Sequence, residues 1–85
     1  MKWKYAVTYG TMKPGLTGET IAKEMAKYKT EVEKKGVKLV FWGHPYGVSE
    51  NIITVLDIEG HMDTYVNLGV TSPWTDARTD FVMVH

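Results

Sequence analysis

The sequence predicts an α+β fold, and three observations lead there. Period-2 apolar alternation and helix-period stripes follow one another in the order strand, helix, strand, strand, helix, strand. Turn chemistry built on glycine and proline falls between these segments. The 85-residue length allows a single domain spanning 1–85, and its 44% hydrophobic and 24% charged residues are those of an ordinary globular fold.

Lys2 to Tyr9 alternates, with Trp3, Tyr5, Val7 and Tyr9 on one face and Lys2, Lys4, Ala6 and Thr8 on the other, which predicts a strand. Gly10 to Gly18 reads as a loop turning at Pro14-Gly15. Thr17 is placed to cap a helix over roughly residues 18–35, with Glu19 in its first turn. Ile21, Met25, Tyr28 and Val32 recur at spacings of four, three and four and form its apolar stripe. Gly36 suits the left-handed position that ends such a helix. Val37 to His44 and Asn51 to Ile58 are strands joined as a hairpin, with Pro45-Tyr46-Gly47 breaking the first. Met62, Tyr65, Val66 and Gly69 predict a shorter second helix. Ser72-Pro73-Trp74-Thr75-Asp76 predicts one more helical turn, and Arg78 to His85 the last strand.

This order is the split βαβ, ferredoxin-like plait: a four-stranded antiparallel sheet with two helices on one face. The uncovered face of such a sheet is expected to be polar. Residues 37–42, 52–56 and 81–84 are instead apolar on both faces, apart from Lys38 and Thr54. A second copy of the chain is the expected cover, making a homodimer or higher homo-oligomer. The first strand is expected between the third and the fourth, with strands one and three running one way and two and four the other. That arrangement puts His44 and His85 at one end of the sheet on opposite edges. It gathers Asp57, His61, Arg78 and Asp80 at the other end, beside Tyr9 and the Gly10–Gly18 loop.

The composition excludes several classes. There is no cysteine, which removes disulfides, thiolate metal sites and cysteine nucleophiles. No stretch approaches the ~18 apolar residues of a membrane span. The N-terminal residues lack the apolar core of a secretory signal, so a cytoplasmic location is expected. A zero net charge argues against nucleic acid and anionic membranes as partners. The zero conceals a split: residues 1–38 hold nine lysines against four glutamates, +5, and residues 39–85 hold Arg78 against six carboxylates, −5. Pairing within the chain and complementary patches between subunits are both open explanations. The third strand has no aromatic residue, unlike the base-stacking RNA-binding plait. Neither serine, Ser49 or Ser72, sits in a nucleophile-elbow pattern. Asp57 beside His61 has the components of acid–base chemistry, and a solvated rim explains the same residues. The aromatic set Trp3, Tyr5, Tyr9, Phe41, Trp42, Tyr46 and Trp74 suits either a ligand cavity or an interface.

A resemblance adds to this. The strand leading into Lys13-Pro14-Gly15, the Gly36-Val37 opening of the second strand, the two-sided apolar sheet and the Trp74-Thr75-Asp76…Phe81-Val82-Met83-Val84 ending are similar to the dimeric α+β barrel superfamily. The likeness is to its small stand-alone members of unassigned function. It implies two sheets closing a barrel and a pocket between sheet and helices, with cofactor-independent monooxygenase- or isomerase-type chemistry among the family's activities. No metal or cofactor is expected. The ligand is expected to be a small apolar or aromatic molecule, with Trp3, Tyr5, Tyr9, Trp42 and Trp74 as walls and Asp57, His61 or His44 as polar handles. The alternative is a non-catalytic assembly or effector-sensing module whose apolar sheet face is entirely interface.

Overall fold

A computed structural model describes residues 2–85. The elements run β1 (Lys2–Met12), α1 (Gly18–Lys34), β2 (Lys38–Gly43), β3 (Ile52–Asp57), α2 (Met62–Val66) and β4 (Trp74–Val84). The four strands form one antiparallel sheet in the order β2-β3-β1-β4, compatible with a ferredoxin-like plait. Among the described residues no helix is long and apolar enough to cross a membrane.

The α1 helix follows its sequence signals closely. The Thr17 side chain accepts from the Thr20 amide, and Thr20 Oγ1 accepts from the Thr17 amide at 2.7 Å, closing a capping box. At the other end the Gly36 amide donates to Glu33 O and the Val37 amide to Val32 O, each at 3.1 Å. This is a Schellman closure, and it requires the positive φ of +95° that Gly36 adopts. Ile21, Met25, Tyr28 and Val32 are buried against Ala6, Leu39, Ile52, Leu56 and Ile58 of the sheet layer, with Val37.

Three irregularities shape the sheet. Lys4 bulges from β1 between Trp3, opposite Met83, and Tyr5, opposite Val82. Trp3 therefore shares a face with Ala6 and lies opposite to Tyr5, which corrects the strict alternation expected for this strand. Val40 bulges from β2 in the same way. On β4 the pair Asp76-Ala77 faces Gly10 alone, and Asp76 adopts a positive φ of +49°. The helical turn expected at residues 72–76 does not form. Trp74 and Thr75 instead pair with Met12 and Thr11, extending both β1 and β4 to 11 residues. Gly10 makes this possible: a Cβ there would come within 2.7 Å of the Trp74 ring.

Strand directions also correct the sequence reading. β3 is antiparallel to β1, and β2 is antiparallel to β3, so β1 and β2 run together and β3 and β4 run the other way. The cause is α1: a crossover helix carries the chain back to its starting end, so the strands it joins are parallel. His44 and His85 consequently lie at opposite ends of the sheet as well as beyond opposite edge strands.

Candidate functional site

On β1 the helix-facing side of the sheet is built from small residues. Ala6, Thr8 and Gly10 of β1 are buried there, leaving depth for the large side chains of α1. Beyond the end of α2 the chain runs through Asn67–Thr71 before β4. Between this segment, α1 and the sheet lies a shallow cleft of about 450 Å³, widely open to solvent. Tyr28, Tyr65 and Trp74 line it with Leu68 and Val70, and Thr8 and Thr79 belong to its sheet wall. Tyr28 and Trp74 meet edge to face, with ring centroids 4.9 Å apart. Burial pushes the Tyr28 phenol well above its usual range, so it remains protonated at neutral pH. Thr8 and Thr79 are register partners whose hydroxyl oxygens are 2.8 Å apart. The same transverse row continues to Thr54 on the far side of Thr8. The Thr54 hydroxyl is fully buried and has no hydrogen-bond partner.

The opposite side of the sheet has a different character. Tyr5, Val7 and Tyr9 face away from the helices, in register with Asp57, Val55 and Ile53 on β3. Phe41 stands beside Val55, and Val82 beside Tyr5. Phe41 is 53% exposed and Val82 40%. Val55 is buried among these neighbours without joining the helix-side core. Charged groups interrupt the patch. The Arg78 guanidinium lies 4.3 Å from the Tyr9 ring centre and bridges to Glu50 at 3.1 Å and Asp80 at 3.4 Å. Hydrogen bonding from Arg78 holds the Glu50 carboxyl below its usual range.

The carboxylates and histidines occupy separate places. Lys4 Nζ bridges Asp57 and Glu59, each at 2.8 Å. Hydrogen bonding from Lys4 lowers both carboxyls, and the pair, Asp57 first, raises the Lys4 ammonium. Asp57 and His61 border one shallow groove of about 260 Å³ with Lys4, Gly36, Lys38 and Glu59. Arg78 and Asp80 are not part of it. Asp57 faces Tyr5 and Arg78 faces Tyr9, four residues apart along β1, roughly 13 Å. The expected four-residue cluster is therefore divided, a direct consequence of the reversed strand direction. His61 is also the N-cap residue of α2 and borders a groove of about 560 Å³ with Trp3, Met62 and Met83. His44 follows β2, where its Nδ1 lies 2.9 Å from Asn51 O. Among the described residues no group of three or more His, Asp or Glu could hold a metal ion.

Of the aromatic residues singled out from sequence, Trp74 lines the cleft between sheet and helices. Trp42 packs against the helix-side core and meets His44 edge on. Trp3 meets Phe81 at the end of the sheet, 6.1 Å between ring centres. Tyr5 and Tyr9 lie on the outer face, so these five rings do not surround one cavity. The cleft residues not singled out from sequence are Tyr28, Tyr65, Thr8 and Thr79. The tyrosines in the apolar stripes of both helices were a signal in the sequence; the pairing of Thr8 with Thr79 depends on the register of β1 against β4, which no periodicity reveals. Comparison with protein-family models, curated proteins and solved structures returns no match, so topology and site geometry carry the functional reading of this chain.

Proposed function

We propose that this chain is a homo-oligomeric small-molecule-binding protein, taking an apolar or aromatic ligand between sheet and helices and associating through its outer sheet face. The observation that carries the reading is the cleft. Three aromatic rings and the aliphatic side chains of Val66, Leu68 and Val70 converge there from α1, α2, the Asn67–Thr71 segment and β4. Its volume lies in the range that takes a small ligand. The outer face supports the second half of the reading, because Phe41, Val82, Tyr5, Val7, Tyr9, Ile53 and Val55 form an apolar patch that no helix covers. Two copies packing these faces together would make the dimeric α+β barrel to which the sequence bears resemblance. Ligand site and interface then use opposite faces of one sheet.

The chemistry that the resemblance implies for such a cleft is of cofactor-independent monooxygenase or isomerase type, with Tyr28, Tyr65 and the threonine hydroxyls as groups able to bond a substrate. The second reading, an assembly module without a ligand, draws on the same outer face and leaves the cleft without a role. Native mass spectrometry of the purified protein tests both. A dimer or larger ring carrying a co-purifying small molecule, or taking one up on addition, is expected. An oligomer that takes up no aromatic molecule favours the assembly module, and a persistent monomer overturns the association.

A further inference from the structure

Resting on the ligand-binding reading above, we infer that the cleft selects an uncharged aromatic molecule and that the Thr8–Thr79 hydroxyl pair receives its hydroxyl or carbonyl oxygen. The first ground is the absence of countercharge. The cleft lining comprises tyrosine, tryptophan, aliphatic, glycine, serine and threonine residues, with no Asp, Glu, Lys, Arg or His. A charged ligand entering it would lose hydration and gain no opposite charge in return. Arg78, next to Thr79 in the chain, belongs to the outer face and is engaged by Glu50 and Asp80. The adjoining groove, which shares Tyr28, Gly69 and Val70, carries Glu24 and Glu31 with Lys27 and Lys35, and so offers no net countercharge.

The second ground is the bonding capacity of the threonine pair. Two hydroxyls bring two hydrogens, and their mutual bond uses one. One hydrogen and several lone pairs remain, so the pair can donate to a carbonyl or both donate to and accept from a hydroxyl. The third ground is the row itself. The preceding transverse row of the sheet is Leu39, Leu56, Ala6 and Phe81, entirely apolar. The next is Trp42, Thr54, Thr8 and Thr79. Valine would fill the same space as each threonine without bringing a hydroxyl into the core, and at Thr54 that hydroxyl is buried without a partner. Packing does not call for a polar row here, whereas a ligand oxygen at its open end gives it one. The rings of Tyr28, Tyr65 and Trp74 provide the walls for a planar body.

The test uses three naphthalenes of one shape, neutral 2-naphthol, anionic 2-naphthoate and 2-methylnaphthalene, titrated into the intact protein at pH 7 and followed by amide NMR. 2-Naphthol is expected to shift the Thr8, Thr79 and Trp74 resonances and to bind at least about tenfold tighter than 2-naphthoate. Thr8→Val with Thr79→Val should weaken 2-naphthol about tenfold, the scale of one hydrogen bond, and leave 2-methylnaphthalene unchanged. Thr79→Ser alone should retain 2-naphthol binding. Should the double variant lose its native amide spectrum, Thr79→Val alone makes the same comparison. Equal affinity for naphthoate and naphthol, or threonine variants indifferent to naphthol, overturns the inference while leaving a ligand site in place. If none of the three compounds moves the cleft resonances, the ligand-binding reading falls with it.

Discussion

Thr54 presents a fully buried hydroxyl without a partner, and a buried polar group in that state costs about 1–3 kcal/mol. Thr54→Val is therefore expected to stabilise the fold by about 1 kcal/mol, read as a higher urea midpoint at unchanged slope. Gly10 presents the reverse case. Its missing side chain admits the Trp74 ring, so Gly10→Ala must displace that ring. A loss of about 1–3 kcal/mol is expected, with a changed near-ultraviolet circular dichroism signal as the sign that Trp74 has moved. The Lys4, Asp57 and Glu59 group contributes to the acid side of the stability profile, as does Glu50 through Arg78. The Asp57 and Glu59 carboxyls are held below their usual range, so their contribution is complete above about pH 5.5 and is lost as pH falls through the lowered values. The raised Lys4 ammonium contributes below its ordinary range, and that contribution is lost only as pH rises through the raised value. Lys4→Met should accordingly shrink the drop in thermal midpoint between pH 7 and pH 3. An undiminished drop would show that Lys4 does not couple to these carboxylates in solution.

At the scale of elements, α1 is specified almost entirely by local signals. Its cap, its four-residue apolar stripe and its closing glycine all stand at the positions the sequence indicates, because each acts over only a few residues. Thr17→Ala removes the cap and should cost about 1 kcal/mol. Gly36→Ala forces an L side chain into the left-handed region and should cost about the same. A change of that size lowers the thermal midpoint by about 4–8 °C in a domain of this length. β4 shows where local reading stops. Ser-Pro followed by Trp-Thr-Asp has the chemistry of a helix start, yet Trp74 and Thr75 are strand. Pairing with Met12 and Thr11, and the room over Gly10, outweigh a single helical turn. The bulge at Lys4 is equally non-local: it appears in the register against β4 and turns Trp3 to the other face.

For the whole molecule, the association proposed above rests on the outer sheet face. Phe41→Glu places a charge at the β2 edge of the exposed apolar patch, so on the proposed association it should convert the oligomer to monomer while leaving the amide spectrum of the helix-side core native. Sedimentation equilibrium reads the outcome, and an oligomer untouched by the substitution would move the interface elsewhere. The charge split has an internal explanation at one point: Lys4 of the basic half pairs with Asp57 and Glu59 of the acidic half. Association through the apolar patch should therefore persist as salt rises to 1 M, where charges are screened over about 3 Å. Dissociation at that salt would restore complementary patches between subunits as the explanation.

The sequence by itself determined the order of the elements, the limits and caps of α1, the hairpin of β2 and β3, and the presence of apolar residues on both sides of the sheet. Each rests on periodicity or on contacts within a few residues. Only the tertiary structure decided strand direction, because it depends on where α1 returns the chain, and with it the separation of His44 from His85 and of Asp57 from Arg78. It also decided which face the helices cover. Alternation in β1 marks two faces, and the more hydrophobic one, with Tyr5, Val7 and Tyr9, is the natural choice for the core. The helices instead cover Ala6, Thr8 and Gly10, since the large side chains of α1 need the depth that small residues leave. That choice places Thr8 and Thr79 in the cleft wall and leaves Tyr5, Val7 and Tyr9 on the face the helices do not cover.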